Sequence, residues 1–209
     1  MSVSLTVLTP TIPGREDLLK ACLRSVYEQR LPVEAHLVMA QPPIPGMSPQ
    51  LHCARQQTQL LAAVQTDWCM RLADDDQLLP HHVETLWPHT ADADVLYSCD
   101  ANNNRPRVDV GAWSQAALVD YFTHSNCIDG SAVLTRTDLV RSVGGWPTEW
   151  EGPASLWDGG HFAGMRADCD DWALWYLLAK AGARFKCIPV ESWLYGCGDW
   201  RRQSDGPGN

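Results

Sequence analysis

Apolar residues in the first half of the chain alternate between continuous runs and helical spacing. The continuous runs predict strands over residues 3–8, 34–40, 68–73 and 94–98. Between them, apolar positions that recur at helical spacing predict helices over residues 15–29, 49–64 and 81–87. Short links separate these elements. This alternation indicates an α/β fold: a single Rossmann-like domain with a mainly parallel central sheet flanked by helices.

The second half of the chain is less regular. It predicts strands over residues 108–113, 131–135 and 184–189, and helices over 115–122, 138–143 and 170–181. Thr137 is expected to cap the helix at 138–143, and Gly144-Gly145 to end it. Residues 146–165 are rich in Gly and Trp and predict a long mobile loop that closes over a ligand. We expect the domain to span 1–198, followed by a polar tail over 199–209.

Charge and composition exclude some classes of function. The net charge of -9 argues against broad electrostatic contact with nucleic acid or an anionic membrane. No apolar stretch approaches the roughly 20 residues of a membrane span. The first residues lack the basic region of a secretory signal. We therefore expect a cytoplasmic protein whose eight cysteines are thiols rather than a disulfide framework.

Three consecutive aspartates, Asp74-Asp75-Asp76, follow the apolar run at 68–73. Clustered carboxylates repel one another unless a cation lies among them. Their hard oxygen atoms suit Mg²⁺ or Mn²⁺, which often take further ligands from the phosphates of a substrate. The alternative is a polar turn in which Asp76 caps a helix that begins near Pro80.

Five segments of the chain carry short motifs in a recognisable order. They are residues 5–11 with Arg15, Cys53-Ala54-Arg55-Gln56, Leu72-Ala73-Asp74-Asp75-Asp76, Asp129-Gly130-Ser131 continuing to Gly144-Gly145-Trp146, and Asp170-Asp171-Trp172. Together they resemble the inverting family-2 glycosyltransferases of the GT-A fold. The matching features of that family are its nucleotide loop, Ala-Arg-Asn segment, DxD motif, acceptor-side strand and Glu-Asp motif.

The resemblance implies a metal-dependent transfer of a sugar from a UDP- or GDP-sugar to an acceptor hydroxyl, with inversion. It places Asp171 as general base and Asp170 beside it in an orienting role. Asp76 and Asp74 would hold Mn²⁺ or Mg²⁺. The donor would be bound by Thr9, Pro10, Thr11, Arg15, Gln41, Arg55, Asp74 and Asp75. The acceptor would be bound by Asp129, Gly130, Trp146 and Trp157.

Three positions depart from the family pattern. The second strand ends in Met39-Ala40-Gln41, where the family has an aspartate that reads the base. Asp170 replaces the Glu of the Glu-Asp pair. The family's late His has no counterpart in the segment 196–202. The first departure leaves the base of the donor open.

Two other functions compete with sugar transfer. A nucleotidyltransferase acting on a sugar phosphate shares an α/β nucleotide-binding domain and a carboxylate-held metal, but residues 9–15 match its basic Gly-rich loop poorly. A non-catalytic carbohydrate-binding protein would use exposed Trp, but this function leaves Asp74–Asp76 and Asp170–Asp171 unexplained.

The sequence leaves the acceptor open among a glycan, a small molecule and a protein. A modified base in DNA is disfavoured by the net charge, although Arg105, Arg107, Arg201 and Arg202 would supply a local basic surface.

Overall fold

A seven-stranded sheet organises the protein, for which the computed structural model describes residues 3–102, 108–148 and 170–197. The strands are β1 (Val3–Thr11), β2 (Val33–Ala40), β3 (Trp68–Arg71), β4 (Gln77–Leu78), β5 (Val95–Asp100), β6 (Val133–Arg136) and β7 (Phe185–Leu194). The helices are α1 (Glu16–Tyr27), α2 (Pro49–Ala63), α3 (His82–Leu86), α4 (Gln115–His124), α5 (Thr137–Ser142) and α6 (Asp170–Lys180). A short 3-10 turn, Trp87–His89, follows α3.

The spatial order of the strands is β2-β1-β3-β6-β5-β7-β4. β1 pairs in parallel with β2 and β3, and β5 pairs in parallel with β7. β6 runs antiparallel to both β3 and β5, and β4 runs antiparallel to β7. Five of the seven strands therefore share one direction. This confirms the predicted α/β domain with a mainly parallel sheet.

Helices cover both faces of the sheet because its central strands are apolar on both sides. Leu8 and Cys69 face the core that contains α2, α4 and α6. Val7 and Met70 face the opposite core, which contains α1 and α3. Cys69 is fully buried and acts as a small apolar side chain; burial raises the pKa of its thiol to about 12.

Several sequence predictions need correction. Residues 108–113 form no strand; Val110 is instead buried as part of a loop that leads to α4. Thr137 is the first residue of α5 and not its cap, since Arg136 takes the N-cap position. β4 was not predicted, because two residues carry too little periodic signal.

The predicted end of α5 is confirmed. Gly144 and Gly145 both adopt positive φ, at 88° and 84°, which favours glycine at a helix end. Within the described ranges, no helix is long and apolar enough to cross a membrane.

Candidate active site

The site residues collect at the carboxyl ends of β1 and β3. Parallel strands end at the same edge of a sheet, so Thr11 at the end of β1 lies near Asp74, just after β3. Because β6 is antiparallel to β3, the segment that leads into β6 arrives at this edge too. Gly196, which follows β7, also reaches it and donates its backbone N–H to Asp76.

Arg15 and Thr11 bind Asp74. The Arg15 guanidinium donates two hydrogen bonds, Nε to Oδ2 and Nη2 to Oδ1, each 2.8 Å long. The Thr11 hydroxyl donates to Oδ2 at 2.5 Å. Arg15 also forms an ion pair with Asp75 at 3.0 Å. These contacts raise the pKa of Arg15 and fix the loop between β1 and α1 against the aspartate triplet.

Asp76 is the most buried of the three aspartates, with 2% of its surface exposed. Burial raises the pKa of Asp76 to about 6. Hydrogen bonds from the Ser131 hydroxyl and from the backbone N–H of Gly196, 2.7 Å away, oppose that rise. The alternative interpretation of Asp76 as a helix cap does not match its contacts, since α3 begins at His82 with His81 as N-cap.

The chemistry of the triplet fits a hard divalent cation. Asp74 accepts three hydrogen bonds, two from Arg15 and one from Thr11, and therefore has fewer free lone pairs for a metal than Asp75 or Asp76. Asp76 and Asp75 supply carboxylate oxygens, and Mg²⁺ or Mn²⁺ commonly uses one or two carboxylates together with substrate phosphates. Within the described ranges, no three His, Cys, Asp or Glu side chains are grouped to hold a metal by themselves.

Asp171 lies in the first turn of α6 and is half-buried. A Cβ placed on Gly130 would lie 2.9 Å from its Oδ2 atom, so the carboxylate contacts the segment that leads into β6. Burial raises the pKa of Asp171, and the nearby charge of Arg71 opposes that rise. Asp170 begins the same helix, but its side chain lies outside the described part of the chain.

The residues predicted to bind the donor separate into different environments. Thr9 is fully buried, and its hydroxyl bonds His36 Nε2 at 2.8 Å beneath the site. Pro10 is buried within β1 opposite Met39. Arg55 is exposed on α2.

Gln41 continues the edge formed by the ends of β1 and β2. Its backbone N–H donates to the Thr11 carbonyl at 3.2 Å, and its side chain donates to Gln59 Oε1 at 3.0 Å. His52 Nε2 lies 3.3 Å from the Gln41 carbonyl. Gln41 therefore lies beside Thr11 at the carboxyl ends of β1 and β2.

The predicted acceptor residues differ in exposure. Asp129 and Gly130 are half-buried, and Gly130 lies next to Asp171. Trp146 is 4% exposed and belongs to the core, with Thr58 bonded to its backbone, so its burial disfavours an acceptor role. Trp157, most of the predicted lid and the basic group Arg105, Arg107, Arg201 and Arg202 lie outside the described residues.

Three residues contribute to the site without having been predicted as site residues. Ser131 bonds Asp76 and accepts from the backbone N–H of Ala73 at 3.0 Å. Gly196 contributes only its backbone, which has no sequence signal. Arg71 is half-buried beside Asp171. Its charge within the apolar run at 68–73 is the sequence signal that could have identified it.

Comparison with known proteins gives similar folds at low sequence identity. A scan against family models and a search of curated proteins both find no match. Among solved structures, a mannosyltransferase from Pyrobaculum calidifontis, PcManGT, in complex with GDP-Man and Mn²⁺, aligns over 96% of this chain with a TM-score of 0.62 and 12% identity. The 1–349 fragment of S. aureus TarS in complex with UDP-GlcNAc aligns over 100% with a TM-score of 0.59 and 12% identity.

This chain covers 59% of the PcManGT structure and 62% of the TarS fragment. Both alignments cover nearly all of this chain, so the likeness concerns its overall architecture. This chain therefore has the fold of these two proteins, a Rossmann-like α/β fold of the GT-A type.

Proposed function

We propose that this protein is a glycosyltransferase that moves a sugar from a nucleoside-diphosphate sugar to an acceptor hydroxyl, with inversion. The observation that carries the proposal is the grouping of acidic side chains at the carboxyl edge of the sheet: Asp76 bonds Ser131, and Asp171 approaches the adjacent Gly130. Arg15 binds Asp74 in the same aspartate triplet. The similar structures with bound GDP-Man and UDP-GlcNAc support a nucleotide-sugar donor.

The donor is bound at the ends of β1 and β2, beside Thr11 and Gln41. Arg15, already positioned by Asp74, lies where its charge can stabilise a diphosphate. Asp76 and Asp75 are the residues that would hold Mn²⁺ or Mg²⁺, with Asp74 orienting Arg15 instead. When bound, such a cation supplies Lewis-acid stabilisation of the charge that develops on the leaving diphosphate.

Asp171 acts as general base. The acceptor oxygen forms a bond to the anomeric carbon while the bond from that carbon to the diphosphate oxygen breaks. The diphosphate leaves with the electron pair, and Asp171 takes the proton of the acceptor hydroxyl. Its partial burial favours proton uptake, since desolvation raises the affinity of a carboxylate for a proton. Attack opposite to the leaving group inverts the anomeric configuration.

The test uses UDP- and GDP-sugars with Mn²⁺. Its readout is the release of nucleoside diphosphate when water accepts the sugar, since this reaction requires no known acceptor. Asp171→Asn should keep Mn²⁺-dependent stabilisation by the donor and lose about 10²–10⁴-fold in turnover. Asp76→Ala should lose the Mn²⁺-dependent stabilisation itself. Asp120→Asn, an exposed carboxylate on α4, is the control and should behave as wild type.

Other products would identify the competing functions. Formation or use of pyrophosphate would indicate a nucleotidyltransferase. Sugar binding without any turnover, unaffected by Asp76→Ala, would indicate a carbohydrate-binding protein. Full turnover by Asp171→Asn would remove that residue from the base role. Screening glycans, small metabolites, proteins and modified DNA in the same assay would identify the acceptor class.

A further inference from the structure

Arg71 occupies an unusual place for a cation. It is the last residue of β3, directly after Trp68, Cys69 and Met70, which are buried. Its backbone carbonyl accepts from Ala132 N–H at 2.8 Å, so its position is fixed by the sheet. Its Nη2 atom lies 3.4 Å from the Cys53 sulfur on α2. The side chain therefore extends over the face of the sheet that α2 and α6 cover.

Gly130 shows how closely Arg71 and Asp171 approach the same point. A Cβ added to Gly130 would overlap Arg71 Nη1 and lie 2.7 Å from Asp171 Cβ and 2.9 Å from Asp171 Oδ2. A real Cβ does not tolerate such distances. A side chain at position 130 would therefore displace the guanidinium and the carboxylate, which converge over the Cα atom of Gly130.

The Arg71 guanidinium affects the pKa of two carboxylates, those of Asp171 and Asp76. The positive charge of Arg71 lowers the pKa of Asp171 and that of Asp76, and so favours the ionised form of each. Burial opposes ionisation of both carboxylates. A general base must be ionised and point in one direction before the acceptor arrives. Arg71 is placed to favour both the ionisation and a fixed orientation of the Asp171 carboxylate.

We propose that Arg71 is a positioning residue that holds the Asp171 carboxylate over Gly130 in the orientation required of the base. This role rests on the proposed function, because Asp171 acts as base only in the transfer reaction. Arg71 acts through Asp171, and neither the donor nor the acceptor is bound by its guanidinium.

The kinetic test is a double-mutant cycle read by nucleoside-diphosphate release. Arg71→Met removes the charge at similar length and should lower kcat about 10–100-fold while leaving donor KM nearly unchanged, as expected for a misplaced base. Arg71→Lys should recover part of the loss. In the Asp171→Asn background, Arg71→Met should cost nothing more, since its effect passes through Asp171. Arg24→Met, exposed on α1, is the control.

A second readout requires no activity. The thermal midpoints of Arg71→Met, Asp171→Asn and the double variant should be non-additive, because the two side chains converge on the same point over Gly130. A rise in donor KM at constant kcat, an added loss in the double variant, or additive midpoints would each overturn the positioning role. Non-additive midpoints with no turnover of any donor by the wild type would overturn the proposed function and, with it, the positioning role. They would still support an interaction between the two side chains.

Discussion

Asp76 illustrates the conflict between binding and stability at a single residue. Its carboxylate is 2% exposed, and burial raises its pKa to about 6. At neutral pH the folded protein must therefore keep a poorly solvated charge, which water would stabilise in the unfolded chain. A site that attracts a cation benefits from this arrangement. The ligand-free protein is destabilised by it.

Asp76→Asn should therefore stabilise the ligand-free protein at pH 8. Because the folded-state pKa is raised, the contribution of Asp76 to stability is present below its unfolded pKa and is lost as pH rises through about 6. The variant should gain about 2–3 kcal/mol over wild type at pH 8, and this gain should disappear near pH 4. Urea unfolding at both pH values measures it, with exposed Asp92→Asn as control. A variant less stable than wild type at pH 8 would contradict the account.

At the level of secondary-structure elements, the buried side chain of Gln56 on α2 links the ends of two strands. Gln56 Nε2 donates to the carbonyls of Thr11 at 2.9 Å and Met39 at 3.3 Å. These carbonyls lie at the carboxyl ends of β1 and β2, where the donor is proposed to bind. The sequence placed Gln56 in a motif by resemblance. Its contacts were decided by how α2 packs on the strands.

Gln56→Leu should destabilise the protein by about 1–3 kcal/mol, since the Thr11 and Met39 carbonyls each lose a hydrogen bond from this buried amide. Donor binding should weaken as well, because Thr11 and Gln41 lose the support of α2. Urea unfolding and donor-dependent thermal shift would measure the two effects. Gln65→Leu, an exposed position just after α2, should show neither effect. Loss of stability with unchanged donor binding would show that Gln56 supports the strands alone.

At the level of the whole molecule, Asp94 connects three strands of the sheet. Its carboxylate, 16% exposed, accepts from Arg184 at 2.9 Å just before β7 and from Arg136 at 3.1 Å at the end of β6. The Arg184 hydrogen bond is the main cause of the lowered pKa of Asp94, and Arg136 contributes. Asp94 immediately precedes β5, so this group connects β5, β6 and β7 at the edge away from the active site.

Asp94→Asn should cost about 1–3 kcal/mol near neutral pH, since hydrogen bonds to charged groups are lost. A lowered folded-state pKa gives stability that is present above the unfolded pKa and is lost as pH falls through the folded pKa. The difference between wild type and variant should therefore shrink as pH is lowered below about 4. Unfolding followed across this range measures it, with Asp120→Asn as control. A difference independent of pH would show that the carboxylate charge is unimportant.

The sequence alone determined the alternation of elements and the position of the acidic groups. Periodic apolar residues are a local signal, so β1, α1, β2, α2 and α6 were predicted close to their observed bounds. The same signal failed for the two-residue β4 and for residues 108–113, where burial in a loop resembled a strand. Motif order also placed Asp74–Asp76 and Asp171 in one site.

Tertiary structure decided which of these groups interact. The pairing of Arg15 with Asp74, the burial of Trp146 and the approach of Arg71 to Asp171 join residues far apart in the chain. Strand order and helix packing set such contacts, and local periodicity contains no information about them. The pKa values of Asp76 and Asp171 follow from the same cause, because burial and neighbouring charges exist only once the sheet has assembled.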